Sequence, residues 1–374
     1  MGIPLGRVAG VPVFLTASWV FLAVLITIVY RGYLGVRRPE LPGPTAYLVG
    51  AGLVLCLLLS VLLHELGHAL AARRYGIGVR GITLELLGGY TELDRDAPSP
   101  KVELVVSLAG PAVSLVLGVL AVFAAAVLPD RTLFEELAFQ LALSNLVVAV
   151  FNALPGLPLD GGRALRAGIW AVSHDRHLGD RVAGWVGRIV AVASVALVAV
   201  LLAGHVITLF GAILTVMVAL TLWTGAGQAI RAGRLGPRVP LLNARQLARP
   251  LFPVPSGTPL AEAQRRYGEA VDPADTHEPV VAVVNSAGQL VGLVDEIAAA
   301  QVPAERRPWI TVDTVARSLD PGRVLPAELS GQALVEAVRA NPSSEYVVTV
   351  GEDVLGVLRV ADVVHVLESR GPAR

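Results

Sequence analysis

At 374 residues the chain is long enough for two or three domains. With 54% hydrophobic residues, 16% charged residues and a mean hydropathy of +0.64, its composition excludes an ordinary soluble enzyme and points to a membrane protein. The 30 basic and 30 acidic residues leave no net charge and no concentrated basic face, so no nucleic-acid partner is expected. The single cysteine, Cys56, excludes a disulfide framework or a cysteine-based zinc site within one chain.

A helix needs about 20 apolar residues to cross the hydrocarbon. Residues 13–30 supply the first span, which no small-residue cleavage site follows, so it reads as a retained anchor. Residues 47–71 supply the second, which ends in His64-Glu65-Leu66-Gly67-His68. Histidines four apart on a helix share one face, from which both imidazoles reach one zinc ion, with the glutamate beside it as general base. Ionisable side chains at membrane depth are costly, and a bound metal is a strong compensation.

Beyond the second span, Ile82, Leu84 and Leu86 alternate with Thr83, Glu85 and Leu87 up to Gly88-Gly89. This period of two predicts a short hairpin dipping into the protein near the metal. Its open edge suits an unwound peptide added as a further strand. Residues 102–128 form the third span, interrupted at Gly110-Pro111, and residues 137–154 the fourth, closing on a proline-rich turn. Residues 189–230 carry almost no charge, and as one helix they would run about 63 Å, twice the bilayer core. They must fold back, at Gly204-His205, which makes six spans.

A catalytic zinc wants three protein ligands and an open position for water. His205 falls at the outer turn, and His277 and His365 fall in the polar tail. His174 and His177 sit on the same side as the motif but in a polar loop. Asp160 is the better candidate, because Asn152-Ala-Leu-Pro-Gly-Leu-Pro-Leu-Asp160-Gly-Gly162 breaks the fourth span at the depth of the histidines. Arginines concentrate in the segments on that side, which puts both termini and the motif at the cytoplasmic face of the cell membrane, with only Arg31, Arg37, Arg38 and Arg131 outside.

After residue 230 the character changes. Residues 231–250 read as a linker rich in Arg, Pro and Gly, and residues 251–374 repeat one order twice: helix, strand, turn, strand, helix. The first copy has a helix at 260–267 and strands at 280–285 and 290–294 around Ser-Ala-Gly. The second has a helix at 331–340, strands at 345–350 and 354–358 around Gly-Glu-Asp, and a helix from Val360.

The His64-Glu65-Leu-Gly-His68 helix, the later Asn-x-x-Pro-x-x-Pro-Leu-Asp-Gly and the duplicated tail together resemble the site-2 protease family of intramembrane zinc metalloproteases, in its six-span branch with a CBS domain pair. The resemblance implies a polytopic α-helical membrane protein of six transmembrane helices with a short membrane-associated β-hairpin, plus a cytoplasmic α/β tandem CBS domain. The boundaries are then 1–230 for the protease domain, 231–250 for the linker and 251–374 for the CBS pair. It implies one zinc at His64, His68 and Asp160, Glu65 as the base, Asn152 on the substrate backbone, and a family β-segment ending at Gly88 and Gly89. The expected substrate is a single-span membrane protein, a tethered regulator cleaved within its transmembrane segment. The family's Gly-x-x-x-Asn pattern is Gly110-Pro-Ala-Val-Ser114 here, with serine in place of asparagine. The tail resembles a module that binds adenine nucleotides and pairs into homodimers. Its second copy keeps the ribose-type aspartate as Asp362, with Arg359 three residues before it, whereas the first copy has lost that position. A membrane metal carrier using the same ligands is the alternative, but transport gives no reason for Glu65 to stand beside a ligand.

Overall fold

The computed structural model describes residues 2–86, 88–129, 132–271, 278–318, 323–351 and 353–369. Leu87, Arg131, His277 and the Glu352 of the Gly-Glu-Asp turn lie outside the described residues. The chain divides into two compact units, Met1–Arg234 and Leu235–Arg374.

The first unit opens with a hairpin, β1 (Ile3–Val8) and β2 (Val11–Leu15), followed by α1 (Ala17–Arg37) and α2 (Gly43–Arg74). Then come β3 (Val79–Glu85), β4 (Gly88–Leu93), α3 (Pro100–Val127), α4 (Leu133–Asn152), the short α5 (Asp160–Ser173), α6 (Arg176–Ala203) and α7 (Leu209–Leu235). Among the described residues six helices are long and apolar enough to cross a membrane, and α5 is not one of them. Large apolar side chains stand outward on these helices, including Phe21 at 64%, Phe123 at 66% and Val200 at 68% exposure. Such a surface is at home in lipid rather than water. Of the other helices of this unit, α3 contacts α2, α4 and α5 most extensively.

Three expectations change. The hairpin expected at residues 81–93 is half of a four-stranded sheet, ordered β1-β2-β3-β4, with β2 and β3 parallel. Residues 13–15 therefore belong to a strand, and the first span starts at Ala17. Val11, Val13, Ile82 and Leu84 bury one face of that sheet against Trp19, Val54 and Ala69. The third span is continuous through Pro111 rather than interrupted. The fifth starts at Arg176, far before residue 189, because the Asp175 carboxylate caps it by accepting the His177 N–H at 2.8 Å. The turn expected at Gly204-His205 is present, with His205 at φ 55°.

In the second unit a 3-10 turn (Gly236–Leu241) leads into α8 (Ala244–Leu247) and β5 (Ala248–Arg249). One repeat is β6 (Leu251–Pro255), α9 (Leu260–Ala270), β7 (Val280–Val284), β8 (Leu290–Val294), α10 (Glu296–Gln301) and β9 (Ala316–Ser318). The other is β10 (Val324–Pro326), α11 (Gly331–Ala340), β11 (Glu345–Val350), β12 (Asp353–Arg359) and α12 (Val360–Glu368). Their sheets run β6-β7-β8-β9 and β10-β11-β12-β5. Each copy thus has the same parallel then antiparallel pairing, the internal duplication expected from the sequence. The expected linker is a correction. β5 closes the sheet of the second repeat, and Leu242, Ala244 and Leu247 are buried in its core with Leu334, Tyr346 and Leu358.

Candidate metal centre

Helix α2 carries His64, Glu65 and His68, each 5% exposed or less. Asp160 is the first residue of α5, delivered by the proline-broken segment after α4. That segment is tied to α6 by the Leu157 N–H, which donates to the Ala183 carbonyl at 3.0 Å. Asp160 Oδ2 lies 3.2 Å from His64 Nε2 and 3.1 Å from His68 Nε2, and the two Nε2 atoms stand 3.4 Å apart. Among the described residues this is the only such trio of His, Cys, Asp or Glu donors.

The donor set fits a tetrahedral metal. Ligand atoms about 2.0–2.2 Å from one zinc stand about 3.3–3.6 Å apart at tetrahedral angles, close to the three separations here. Protonation supports the same conclusion. His68 Nδ1 is 2.7 Å from the Val106 carbonyl, which can only accept, so Nδ1 carries the proton and, in the neutral ring, Nε2 presents a lone pair. His64 Nδ1 contacts Ser114 Oγ at 2.9 Å. With His64 Nδ1 donating to Ser114 Oγ, three acceptors turn toward one point, and they repel unless a cation sits among them. Space for it is kept by Gly110, where a Cβ would stand 2.2 Å from His68 Nε2 and 2.7 Å from His64 Nε2. Val106, Gly110 and Ser114 recur every four residues, so one face of α3 serves both imidazoles.

Glu65 is held from the other side. Thr91 Oγ1, on β4, donates to Glu65 Oε2 at 2.7 Å. Gly89 allows the strand this close, since a Cβ there would meet Glu65 Cγ at 2.8 Å. A cavity of about 500 Å³ joins the three donors and Glu65 to Gly88, Gly89, Asn152 and Arg163. The structure therefore brings together every site residue expected in the membrane unit.

The other candidates lie elsewhere. His174 ends α5 in a left-handed conformation, and His177 lies in the first turn of α6 with Nδ1 4.0 Å from Asp180. In the second unit, Arg249 donates to both oxygens of Asp362 at 2.7 Å. These bonds raise the Arg249 pKa and tie Asp362 into a buttress for β5 rather than presenting it as an open ribose acceptor. Arg359 pairs with Glu296 at 2.6 Å and with Glu345 at 3.2 Å. Thr91 and the supporting role of Ser114 were not anticipated. The only signals were a hydroxyl two residues after Gly-Gly and a serine in the pattern's asparagine place.

Two imidazoles and a neighbouring glutamate on one long apolar helix, met by a carboxylate from the start of α5, equip a metallohydrolase. Comparison with known proteins agrees. Residues 52–143 and 131–197 match the model of Peptidase family M50. A Synechocystis sp. protein named as a zinc metalloprotease is 29% identical over 374 residues, 98% of this chain and 96% of its own. Rip3 of Mycobacterium tuberculosis, named likewise, is 40% identical over 207 residues, 52% of this chain and 50% of its own. The site-2 protease structure from Methanocaldococcus jannaschii is 28% identical, covering 62% of this chain and 95% of its own, with a TM-score of 0.43. Residues 52–197 thus resemble peptidase family M50, the site-2 protease family, and the chain is a zinc metalloprotease.

Proposed function

We propose that this chain hydrolyses a peptide bond within the transmembrane segment of a single-span membrane protein, with zinc held by His64, His68 and Asp160 and with Glu65 as general base. The observation that carries the reading is the convergence of the three donor atoms beside the Glu65 carboxylate in one cavity. His64, His68 and Asp160 would hold the zinc, which would supply an acidified water and a Lewis acid for the scissile carbonyl. Glu65 would accept the proton of the attacking water and pass it to the departing amine nitrogen. Thr91 holds one Glu65 oxygen, which keeps the other aimed into the cavity.

A transmembrane helix hides its peptide bonds within its own hydrogen bonds, so the substrate must unwind before attack. Among the described residues β4 pairs only with β3, and its far edge, beside Gly88 and Gly89, can take the unwound segment as an added strand. Asn152, at the end of α4, then binds the same segment across the cavity. In this reading both termini face the cytoplasm of a cell membrane and the substrate is a tethered regulator. The second unit modulates cleavage and pairs with a second copy through apolar surface that includes Ile297 and Trp309, 74% and 86% exposed. Adenine-nucleotide control through Asp362 would first have to displace Arg249. A carrier could use the same three donors, but it has no use for the oriented Glu65.

The test is Glu65→Gln in the full chain, with a co-expressed single-span substrate. Zinc content should stay at one per chain while cleavage disappears. Cleavage at the original rate would remove Glu65 as the base, and an absence of bound zinc in the parent chain would remove the reading altogether.

A further inference from the structure

Away from the metal centre, the outer surface of α6 and α7 carries an arginine held between two indoles. The Arg188 guanidinium carbon lies 4.9 Å from the Trp185 ring centroid and 4.8 Å from that of Trp223. Both distances are within cation–π range, and tryptophan is the strongest such partner. With two rings packed this close to the guanidinium carbon, its N–H groups are the part left to meet a ligand.

Among the described residues no carboxylate neutralises that charge. Arg176 on the same helix pairs with Asp96 at 2.6 Å, and Arg181 with Asp175 at 3.8 Å. Arg188 has no carboxylate within ion-pair distance among the described residues, and its Nε is buried without a hydrogen-bond partner. Arg231, about two helical turns beyond Trp223, and Arg234 add exposed positive charge at the same end of α7.

Depth identifies the ligand's surroundings. At 1.5 Å per residue, Arg188 stands about 22 Å from the Ala203 end of α6, and Trp223 about 21 Å from the Leu209 end of α7. In a hydrocarbon core about 30 Å thick, a long side chain at that level reaches the headgroup boundary opposite the Gly204-His205 turn. The neighbouring surface is apolar, with Ile189 65%, Val192 59% and Leu220 60% exposed. Trp185 and Trp223 are themselves half-exposed, at 49% and 44%, as indoles at a membrane interface are. The anion abundant at that level is the phosphodiester of a lipid, whose geometry matches the guanidinium fork.

We propose that Trp185, Arg188 and Trp223 form a binding site for the phosphate of an anionic lipid headgroup. A net-negative lipid such as phosphatidylglycerol is preferred over phosphatidylcholine, whose own ammonium already neutralises its phosphate. The site is independent of the proteolytic reading, and its occupancy is read without any substrate.

The full chain, purified in uncharged detergent, is incubated with equal phosphatidylglycerol and phosphatidylcholine, and the lipids retained per chain are counted by native mass spectrometry. The parent chain should retain phosphatidylglycerol about tenfold more strongly, the scale of one charge-assisted hydrogen bond. Arg188→Gln should reduce that ratio to near one while keeping zinc at the parent level. Trp223→Leu, which removes one of the two ring contacts and leaves the charge in place, should lower it in the same direction. Equal retention of the two lipids by the parent chain, or an unchanged preference in both variants, would overturn the proposal. Displacement of the lipid by millimolar inorganic phosphate would do so too, by assigning the site to a soluble anion.

Discussion

Gly110→Ala adds one methyl group to α3 at the point where both imidazoles turn toward Asp160. By helix propensity alone alanine should help, by about 0.8–1.0 kcal/mol. The added carbon, however, would stand 2.2 Å from His68 Nε2 and 2.7 Å from His64 Nε2. Restoring ordinary contact needs a retreat of about 1 Å by His68 Nε2, whereas zinc–ligand distances tolerate about 0.2 Å. Overpacking costs about 1–3 kcal/mol, enough to cancel the gain in propensity and leave stability little changed. Zinc affinity takes the main loss. Removing only a supporting hydrogen bond weakens metal sites by 10–100-fold, and displacing the ligand atom itself should cost at least about 100-fold. Competition with a chromophoric chelator measures this on the purified full chain, with helix content from circular dichroism as the control. A variant that folds and holds one zinc with affinity within about threefold of the parent would refute the idea that Gly110 keeps room for the metal.

Thr91→Val removes the hydroxyl from Glu65 without changing the shape of the strand. Zinc content should hold, and the cleavage rate should fall by about 10–100-fold with substrate affinity little altered, as kcat and KM measured separately would show. Ser114→Ala leaves His64 Nδ1 without its partner and should weaken zinc by about 10–100-fold in the same chelator competition. In the second unit, the Gly257 N–H and the Ser256 hydroxyl, each 2.7 Å away, hold the Asp313 carboxyl below its ordinary range. A lowered carboxylate contributes stability above its unfolded pKa of about 3.9 and loses it as pH falls through the folded value. Asp313→Asn should therefore unfold earlier at pH 7, by no more than the ~0–1 kcal/mol of an exposed charged contact, with the gap closing in acid. Trp309, the only tryptophan of that unit, reports the transition.

What could be read from the sequence follows the range of the interactions involved. The spacing of His64 and His68 is set by one helix turn, so the shared face needed no knowledge of the fold. Asp160 was legible because prolines and glycines around it mark a broken span. Strand alternation around Ile82 and Leu84 announced a hairpin. Residues 11–15 announced nothing, because their apolar run merges with that of α1, and only pairing with β3 shows them to be a strand. The same holds for the supposed linker. β5 is two residues long, too short for any periodicity, and it exists because β12 offers it an edge. Thr91, Val106 and Ser114 reach the site from elements 26 to 50 residues away in sequence, and one of them acts through its backbone carbonyl.

The arrangement also explains why α2 is flanked as it is. His64 and His68 need neighbours that accept or share a proton at Nδ1, and α3 supplies both from one face. Glu65 sits between them in sequence and must be kept from those same partners, or it would compete with Asp160 for the metal. β4 accomplishes that by drawing the Glu65 carboxylate toward Thr91. Gly110 and Gly89 are the counterparts of this division. One leaves room on the α3 side for a cation, and the other lets a strand edge approach the base closely enough to bring a peptide with it. A side chain at either place would leave every donor atom in the chain and still separate the metal from its ligands or the strand from the base.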